Sequence, residues 1–198
     1  MEDMMEEKRL VERFSDVFVK TISILDNIKK GFFTQKLDVV RENKAQFREI
    51  LKSRVPGVQK IIEEKDKTEA QKQYLALIPL FQTIGLALEN LISKMETKVE
   101  LKILFSEKAL SEIKGLYAIL EEQFQDTKDY ITTKNLVLKA EIKAGWGKIF
   151  KAADEYAIIH QGRLIAGVCM PQASYLYLDI VDSIKRISRG LIDFSEKV

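Results

Sequence analysis

The chain of 198 residues is poor in cysteine, proline and glycine, and each shortage excludes a class of protein. The single cysteine, Cys169, cannot form an internal disulfide, so the sequence is not that of a disulfide-stabilised secreted domain. The three prolines and nine glycines are scattered, and no Asn-Gly or Asp-Gly pair marks a β-hairpin. The sequence therefore predicts long uninterrupted elements and not a sheet with tight turns.

An excess of charge of one sign is also missing. The 32 basic and 30 acidic side chains leave a formal net charge of +2. Domains that bind nucleic acids usually concentrate basic side chains on one face. We therefore expect no nucleic-acid partner.

Targeting and membrane segments are not recognisable in the sequence. Residues 1–7 are acidic and lack the basic-then-apolar order of a secretory signal. The longest weakly polar run, residues 73–88, is interrupted by Pro79, Gln82 and Thr83. It is also shorter than the ~20 residues that span a bilayer. We expect a soluble, cytoplasmic protein.

Apolar residues recur at steps of three and four along two segments, which is the pattern of helices packed side by side. The first seam comprises Tyr74, Leu77, Phe81, Ile84, Leu88, Leu91 and Met95. The second seam comprises Tyr177, Ile180, Ile184, Ile187, Leu191, Phe194 and Val198. The two seams match position for position at an offset of 103 residues. The same offset pairs Leu10, Phe14 and Val17 with Ile113, Tyr117 and Leu120. It also pairs Phe47 with Phe150, Ile61 with Leu164, and Ile62 with Ile165.

This pattern predicts an all-α fold in which a tandem repeat of two three-helix units forms a six-helix bundle. The first unit covers residues 1–95, a connector covers residues 96–105, and the second unit covers residues 106–198. The helices are expected at about residues 5–32, 36–65, 68–95, 106–132 and 135–167, and from residue 171 onward.

Local signals support these helix boundaries. Thr68 and Gln71 fit a capping box, Ser106 fits an N-cap, and Pro171 fits the first turn of the sixth helix. Pro56 and Gly57 should kink or break the second helix, and Pro79 should kink the third.

Histidine is nearly absent, which argues against a carboxylate-bridged dinuclear metal centre built from a Glu-x-x-His pair on each of two helices. The one histidine, His160, has Ala157 three residues before it. Its place on the apolar stripe of the fifth helix is more typical of a packing residue than of a ligand.

Two carboxylates, Asp179 and Asp182, are spaced to share one helix face and could begin a metal site. Lys185 and Arg186 follow Asp182 at ion-pair spacing, which favours a solvated row of ion pairs. Cys169 has no base at a recognisable spacing, and the sequence has no Gly-rich phosphate loop, HExxH motif or Ser-His-Asp arrangement. The sequence indicates no enzyme, no cofactor and no metal site.

His160 and Arg163 lie one turn apart on the predicted fifth helix, and Asp179 should lie alongside them once the sixth helix folds back. An arginine near a bundle seam needs an acceptor, because an unpaired buried charge costs several kcal/mol. We therefore predict a structural polar link formed by His160, Arg163 and Asp179. An anion site formed by Arg163 and Arg186 is the functional alternative.

The stretch H-x-x-R-L-x-x-G-x-C, from His160 to Cys169, is similar to the cytoplasmic PhoU-like tail of bacterial sodium-dependent phosphate cotransporters. Residues 171–180 continue this likeness, and residues 183–187 resemble the L-E-R-I helix of PhoU proteins. Residues 106–113 resemble the opening of a PhoU repeat. The resemblance is strong in the second unit and weak in the first. It implies the PhoU fold and a regulatory role in phosphate transport.

The chain departs from the metal-binding members of that family. They carry an acidic E/D-x-x-x-D motif on the third helix of each repeat. This chain has Gln82 and Leu86 at those positions in the first unit, and Lys185 and Arg189 in the second. Two cations, or an amide and a leucine, cannot ligate a metal ion, so the family's iron or zinc cluster is not expected here.

The resemblance implies a non-enzymatic regulator of phosphate uptake or phosphate signalling. Such a protein would dock on a membrane transporter or a sensor kinase without entering the bilayer. A generic helical scaffold unrelated to phosphate has the same composition and is the first alternative. A metal-dependent enzyme is the second.

Overall fold

A computed structural model describes residues 2–52 and 61–198 of the chain. It contains six long α-helices: α1 (Glu2–Phe33), α2 (Leu37–Lys52), α3 (Glu69–Glu100), α4 (Glu107–Thr133), α5 (Leu136–Ile165) and α6 (Pro171–Lys197). Residues 61–63 are also helical, and the two described ranges contain no strand. The all-α prediction is confirmed. The break predicted at Pro56 and Gly57 lies outside the described residues.

The helices pack side by side in one bundle. α1 contacts α2, α3 and α4, while α3 also contacts α2 and α6. α4, α5 and α6 all contact one another. α3 and α6 run antiparallel, because Lys94 meets Asp179 while the earlier Asn90 meets the later Ser183.

α1 and α4 are also antiparallel, because Phe18 meets Phe124 while the later Leu25 meets the earlier Tyr117. The centre of the core lies where this pair meets α3 and α6. Aromatic rings with centroids 5.0–6.2 Å apart form that centre: Phe14, Phe18, Tyr74, Phe81, Phe124 and Phe194. Their tilted and edge-on arrangements suit the quadrupoles of the rings. All residues of the two predicted seams except Val198 are buried.

α3 is long and apolar enough, by length and composition, to cross a membrane. Its apolar residues have partners inside the bundle, because α1, α2 and α6 surround it. Twelve of its residues are buried. Burial inside the bundle therefore accounts for part of the apolar composition of α3.

Three predicted helix signals are confirmed. The hydroxyl of Thr68 accepts from the amide of Gln71, and the Gln71 side chain accepts from the amide of Thr68 in return. The hydroxyl of Ser106 accepts from the amide of Ala109 at the start of α4. Pro171 is the first residue of α6. α3 continues through Pro79 as one helix.

The prediction that the third helix ends near Met95 is wrong, because α3 continues to Glu100 and occupies half of the predicted connector. Residues 96–100 contain no glycine or proline that would stop a helix. Glu96 accepts from Arg41 at 2.9 Å and from Lys44 at 2.6 Å, so α2 holds this extra turn in place. Residues 101–106 form the connection to α4.

The offset of 103 residues relates α3 to α6 more closely than it relates the other helices. Gln35 after α1 and Lys134 after α4 both have the left-handed backbone conformation. They are 99 positions apart, and not 103. Phe47 of α2 is buried, whereas Phe150 of α5 is 45% exposed and its neighbour Ile149 is buried instead. Equivalent positions in α1 and α4, and in α2 and α5, are therefore separated by slightly fewer than 103 residues.

Candidate functional site

A buried polar cluster lies where α4, α5 and α6 meet, close to the turn between α5 and α6. Glu112 belongs to α4, His160 and Arg163 belong to the end of α5, and Tyr177 belongs to the second turn of α6. Glu112, His160 and Tyr177 are at most 3% exposed. The side chain of Arg163 is 16% exposed.

The carboxylate of Glu112 joins the three helices. Its Oε2 accepts a hydrogen bond of 2.8 Å from Arg163 Nη2 and one of 2.6 Å from the hydroxyl of Tyr177. The His160 ring stacks on the Tyr177 ring with 4.5 Å between centroids. The guanidinium of Arg163 lies 5.8 Å over the same tyrosine ring. These four side chains therefore form one network.

The neighbours of His160 determine its tautomer. His160 Nδ1 lies 3.4 Å from Arg163 Nη2. A guanidinium can only donate hydrogen bonds, so Nδ1 must be the acceptor. The neutral imidazole therefore carries its proton on Nε2.

Several polar atoms of the cluster are buried without a hydrogen-bond partner among the described residues. They are Glu112 Oε1, His160 Nε2, Arg163 Nε and Arg163 Nη1. Each such atom costs on the order of 1–3 kcal/mol when it is removed from water. These atoms offset part of the stabilisation that the hydrogen bonds of Glu112 provide.

Burial and neighbouring charges shift the pKa values in the cluster. Desolvation, followed by the charge of Arg163, lowers the pKa of His160 below its ordinary value of 6.5. Desolvation and the hydrogen bond to Glu112 raise the pKa of the Tyr177 hydroxyl far above its ordinary value. Burial lowers the pKa of Arg163, but the hydrogen bond and charge of Glu112 raise it by more. At neutral pH the imidazole and the phenol are uncharged and the guanidinium is charged.

The structure brings together two of the three residues of the predicted polar link. His160 and Arg163 are in contact, whereas Asp179 lies outside the cluster and pairs with Lys94 of α3 at 2.6 Å. Asp179 follows Tyr177 by two residues, so its side chain leaves α6 roughly 200° away around the helix axis. The acceptor for Arg163 is Glu112, and the link therefore extends to α4 as well as to α6.

Sequence reasoning misses Glu112 as a site residue, although the sequence contains a signal for it. Glu112 lies on α4 at helical spacing from Ala109 and Leu116, which are both buried. A carboxylate at such a position is rarely buried without a partner. Glu112 needs a partner because of its buried position, and Arg163 needs an acceptor. The two requirements together indicate a Glu112–Arg163 pair.

The alternative anion site needs Arg163 and Arg186 to converge, and the structure keeps them apart. Arg163 lies over the ring of Tyr177, and Arg186 is nine residues farther along α6, or about 13 Å. Arg186 pairs instead with Asp182 at 2.7 Å on the surface.

The four positions compared with the acidic motifs of PhoU proteins are exposed or paired with an aspartate. Gln82 and Leu86 are exposed on α3. Lys185 and Arg189 each pair with an aspartate, at 2.6 and 3.0 Å. Within residues 2–52 and 61–198, no group of three or more histidine, cysteine, aspartate or glutamate side chains could hold a metal ion.

An uncharged surface lies beside the buried cluster, at the turn between α5 and α6. We call it the α5–α6 end, and its exposed apolar residues are Leu164, Ile165, Val168, Met170 and Tyr175. Cys169, the one cysteine of the chain, lies within it and is partly exposed. Exposed apolar patches of this kind mark sites of interaction with proteins or membranes.

Comparisons with known proteins add no relative. No protein-family model, no curated protein and no solved structure matches the chain. The similarity to PhoU proteins therefore stays a prediction.

Proposed function

We propose that this chain is a non-enzymatic regulator of phosphate uptake or phosphate signalling, similar to PhoU proteins. It docks on the cytoplasmic side of a membrane transporter or a sensor kinase. Neither a cofactor nor a metal takes part in this role.

The proposal includes a tandem repeat of two three-helix units, in residues 1–95 and 106–198. In its support, α1, α2 and α3 contact one another, and so do α4, α5 and α6. Between the two sets, α1 packs on α4 and α3 packs on α6, so that helices in corresponding positions meet. Both pairs are antiparallel, which is what a two-fold axis perpendicular to the helices produces between duplicated units.

The observation that carries the proposal is the location of the segment that resembles PhoU proteins. Residues 160–187 form the end of α5, the turn and most of α6. The inner side of this hairpin contributes three of the four residues of the buried cluster, and its outer side forms the α5–α6 end. A regulator that docks needs a folded interior and an exposed surface at the contact.

The burial of the polar cluster supports a non-enzymatic role. Glu112, His160 and Tyr177 are residue types that can transfer protons, but each is at most 3% exposed. A general base must come within about 3 Å of the proton that it removes. A substrate outside the bundle cannot meet these groups in this arrangement.

A helical scaffold unrelated to phosphate is the second candidate, and the surface between α3 and α6 favours it. A groove there is lined by charged residues of both signs, including the pairs Asp182–Arg186 and Arg189–Asp193. Mixed charge of this kind can select a protein partner by electrostatic complementarity alone.

Deletion of the gene separates the two candidates. The proposal predicts that deletion changes phosphate uptake or accumulated polyphosphate, and that the wild-type gene restores both. A scaffold unrelated to phosphate predicts that neither quantity changes.

A pull-down from the native membrane fraction should then recover a phosphate transporter or a sensor kinase. Elemental analysis of the purified protein tests the metal-dependent enzyme, which requires a stoichiometric transition metal.

A further inference from the structure

The outer side of the α5–α6 hairpin differs in composition from the rest of the chain. Charged side chains make up 31% of the protein, but from Ala157 to Leu178 there is only one, Arg163. Glu112 pairs with that charge inside the bundle. The hairpin therefore presents no net charge to its surroundings over this stretch.

The uncharged stretch reaches about equally far along both helices. On α5 the last charged residue before the turn, other than Arg163, is Glu155, about 15 Å from Ile165. On α6 the first charged residue is Asp179, about 12 Å from Pro171. Both helices thus lose their surface charges at a similar distance from the turn.

Apolar side chains project from both helices and from the turn between them. Ile165, Val168 and Met170 are 88%, 70% and 71% exposed. They lie at the end of the hairpin, around the turn that joins α5 and α6. A fluid apolar medium covers such an end without a fitted partner surface. Tyr175 lies about 6 Å along α6 from its first residue. An aromatic ring with a polar group is suited to the membrane–water boundary at that level.

Several backbone groups of the turn are already paired. The amides of Ala166, Gly167 and Val168 each donate to a carbonyl of α5 at 3.0 Å. Pro171 has no amide hydrogen. Pairing of this kind lowers the cost of moving a backbone out of water.

The connection between α3 and α4 lies at the same end, because the Phe105 ring is 6.3 Å from the Tyr177 ring. Its Leu104 is 83% exposed and adds apolar surface. The charged residues around it are two of each sign: Glu100, Lys102, Glu107 and Lys108. This connection adds no net charge that would favour an anionic partner.

The opposite end of α5 provides a contrast. Leu136 and Val137 are exposed to a similar degree, 73% and 62%. Lys134 and Lys139 lie within three residues of them. Exposed apolar residues therefore occur at both ends of α5, but at the α5–α6 end the one charged residue of the hairpin, Arg163, is paired with Glu112.

We infer that the α5–α6 end inserts into the surface of a zwitterionic lipid bilayer. Ile165, Val168 and Met170 then lie below the headgroups, and Tyr175 lies at their level. The hairpin stays in the interface and does not cross the membrane. Burial of apolar surface drives the insertion, so it requires no anionic lipid. This inference goes beyond the proposed function and is independent of phosphate.

Flotation of the purified full chain with phosphatidylcholine vesicles tests the inference. We expect the protein to float with the vesicles, with little change between about 0.1 and 1 M salt, because apolar burial is not screened by ions. The Ile165→Asp/Val168→Asp variant should lower the partition coefficient at least about tenfold. The matched control, Leu136→Asp/Val137→Asp, should bind as the wild type does. Circular dichroism establishes that both variants fold.

Cys169 allows a second measurement on the unmutated chain. An environment-sensitive fluorophore on this single thiol should shift its emission to the blue when phosphatidylcholine vesicles are added.

The inference is overturned if the wild type neither floats nor shows this shift, or if both variants lose binding equally. It is also overturned if binding requires anionic lipid and disappears at high salt. A dimer that Ile165→Asp/Val168→Asp converts to a monomer would identify a second copy of the chain as the occupant. Flotation with an unchanged deletion phenotype would reject the phosphate role alone.

Discussion

Gly190 of α6 lies directly against Ile84 of α3. A Cβ added at Gly190 would be 2.7 Å from Ile84 Cγ1, which is closer than carbon atoms pack. Ile84 is fully buried and β-branched, so its side chain has few alternative rotamers. The missing side chain at position 190 is therefore what allows α3 and α6 to approach at this point.

We expect Gly190→Ala to lower the free energy of unfolding by about 1–3 kcal/mol, since the new methyl group must displace a packed core side chain. The control is Gly147→Ala on α5, where an added Cβ meets nothing within 4 Å. Alanine favours a helix over glycine, so the control should raise the free energy of unfolding by up to about 1 kcal/mol. Urea denaturation measures both, and shifts of the same sign would contradict this account.

Glu112→Gln should lower the free energy of unfolding by about 3–5 kcal/mol, because it leaves the Arg163 guanidinium partly buried without a counter-charge. The control is Asp179→Asn, which removes the half-exposed pair with Lys94 and should cost less than about 1 kcal/mol. Denaturant titration of the two variants gives the comparison. Equal costs would show that burial does not strengthen the Glu112–Arg163 pair.

The stability of the protein should fall as the pH drops below the ordinary histidine pKa of 6.5. The pKa of His160 is lowered in the folded state, so the unfolded chain takes up this proton first as the pH falls. The contribution of the neutral imidazole is present above pH 6.5 and is lost as the pH falls toward the lower folded pKa. Unfolding free energies of the wild type and of His160→Gln should therefore converge toward low pH. Parallel curves between about pH 5 and 7.5 would exclude His160 as the cause.

Lys98→Met should raise the free energy of unfolding at neutral pH by on the order of 1 kcal/mol. Lys98 is 3% exposed, and desolvation lowers its pKa. Its ammonium lies 5.3 Å over the Phe32 ring and 5.7 Å over the Phe105 ring, which offsets only part of that cost. Methionine keeps the length of the side chain without the charge.

The pH dependence gives a second check on Lys98. Because its folded pKa is lowered from 10.5, the stability of the wild type should rise as the pH approaches that value, and Lys98→Met should lack this part of the rise. Lys94→Met, which removes the partner of Asp179, should not stabilise the protein. A loss of stability in Lys98→Met would mean that the two aromatic rings outweigh the cost of burial.

The parts of the fold that the sequence predicts correctly depend on chemistry within a few residues. The capping box of Thr68 and Gln71 and the position of Pro171 need only their immediate neighbours. The buried faces of α3 and α6 need only the helical period. Long, regularly patterned helices could therefore be placed in advance, with most ends correct to within a few residues.

The parts that the sequence does not predict depend on contacts between distant segments. Glu112 is 51 positions from Arg163, and no periodicity relates the two. Asp179 turns toward α3 because of how α6 is rotated after the turn, which the spacing of residues does not specify. The last turn of α3 is held by Arg41 and Lys44 of another helix.

The pairing of α1 with α4 has a consequence for synthesis of the chain. The hydroxyl of Tyr117 donates to the carbonyl of Leu25, and Lys29 pairs with Glu121; each pair is separated by 92 positions. At ribosomal speeds of about 5–20 residues per second, α1 waits roughly 5–20 s for these partners. During that interval the part of its apolar face that packs on α4 is uncovered in the nascent polypeptide. Chaperones that bind emerging chains should therefore engage the first three helices and release them only after the later helices have been translated.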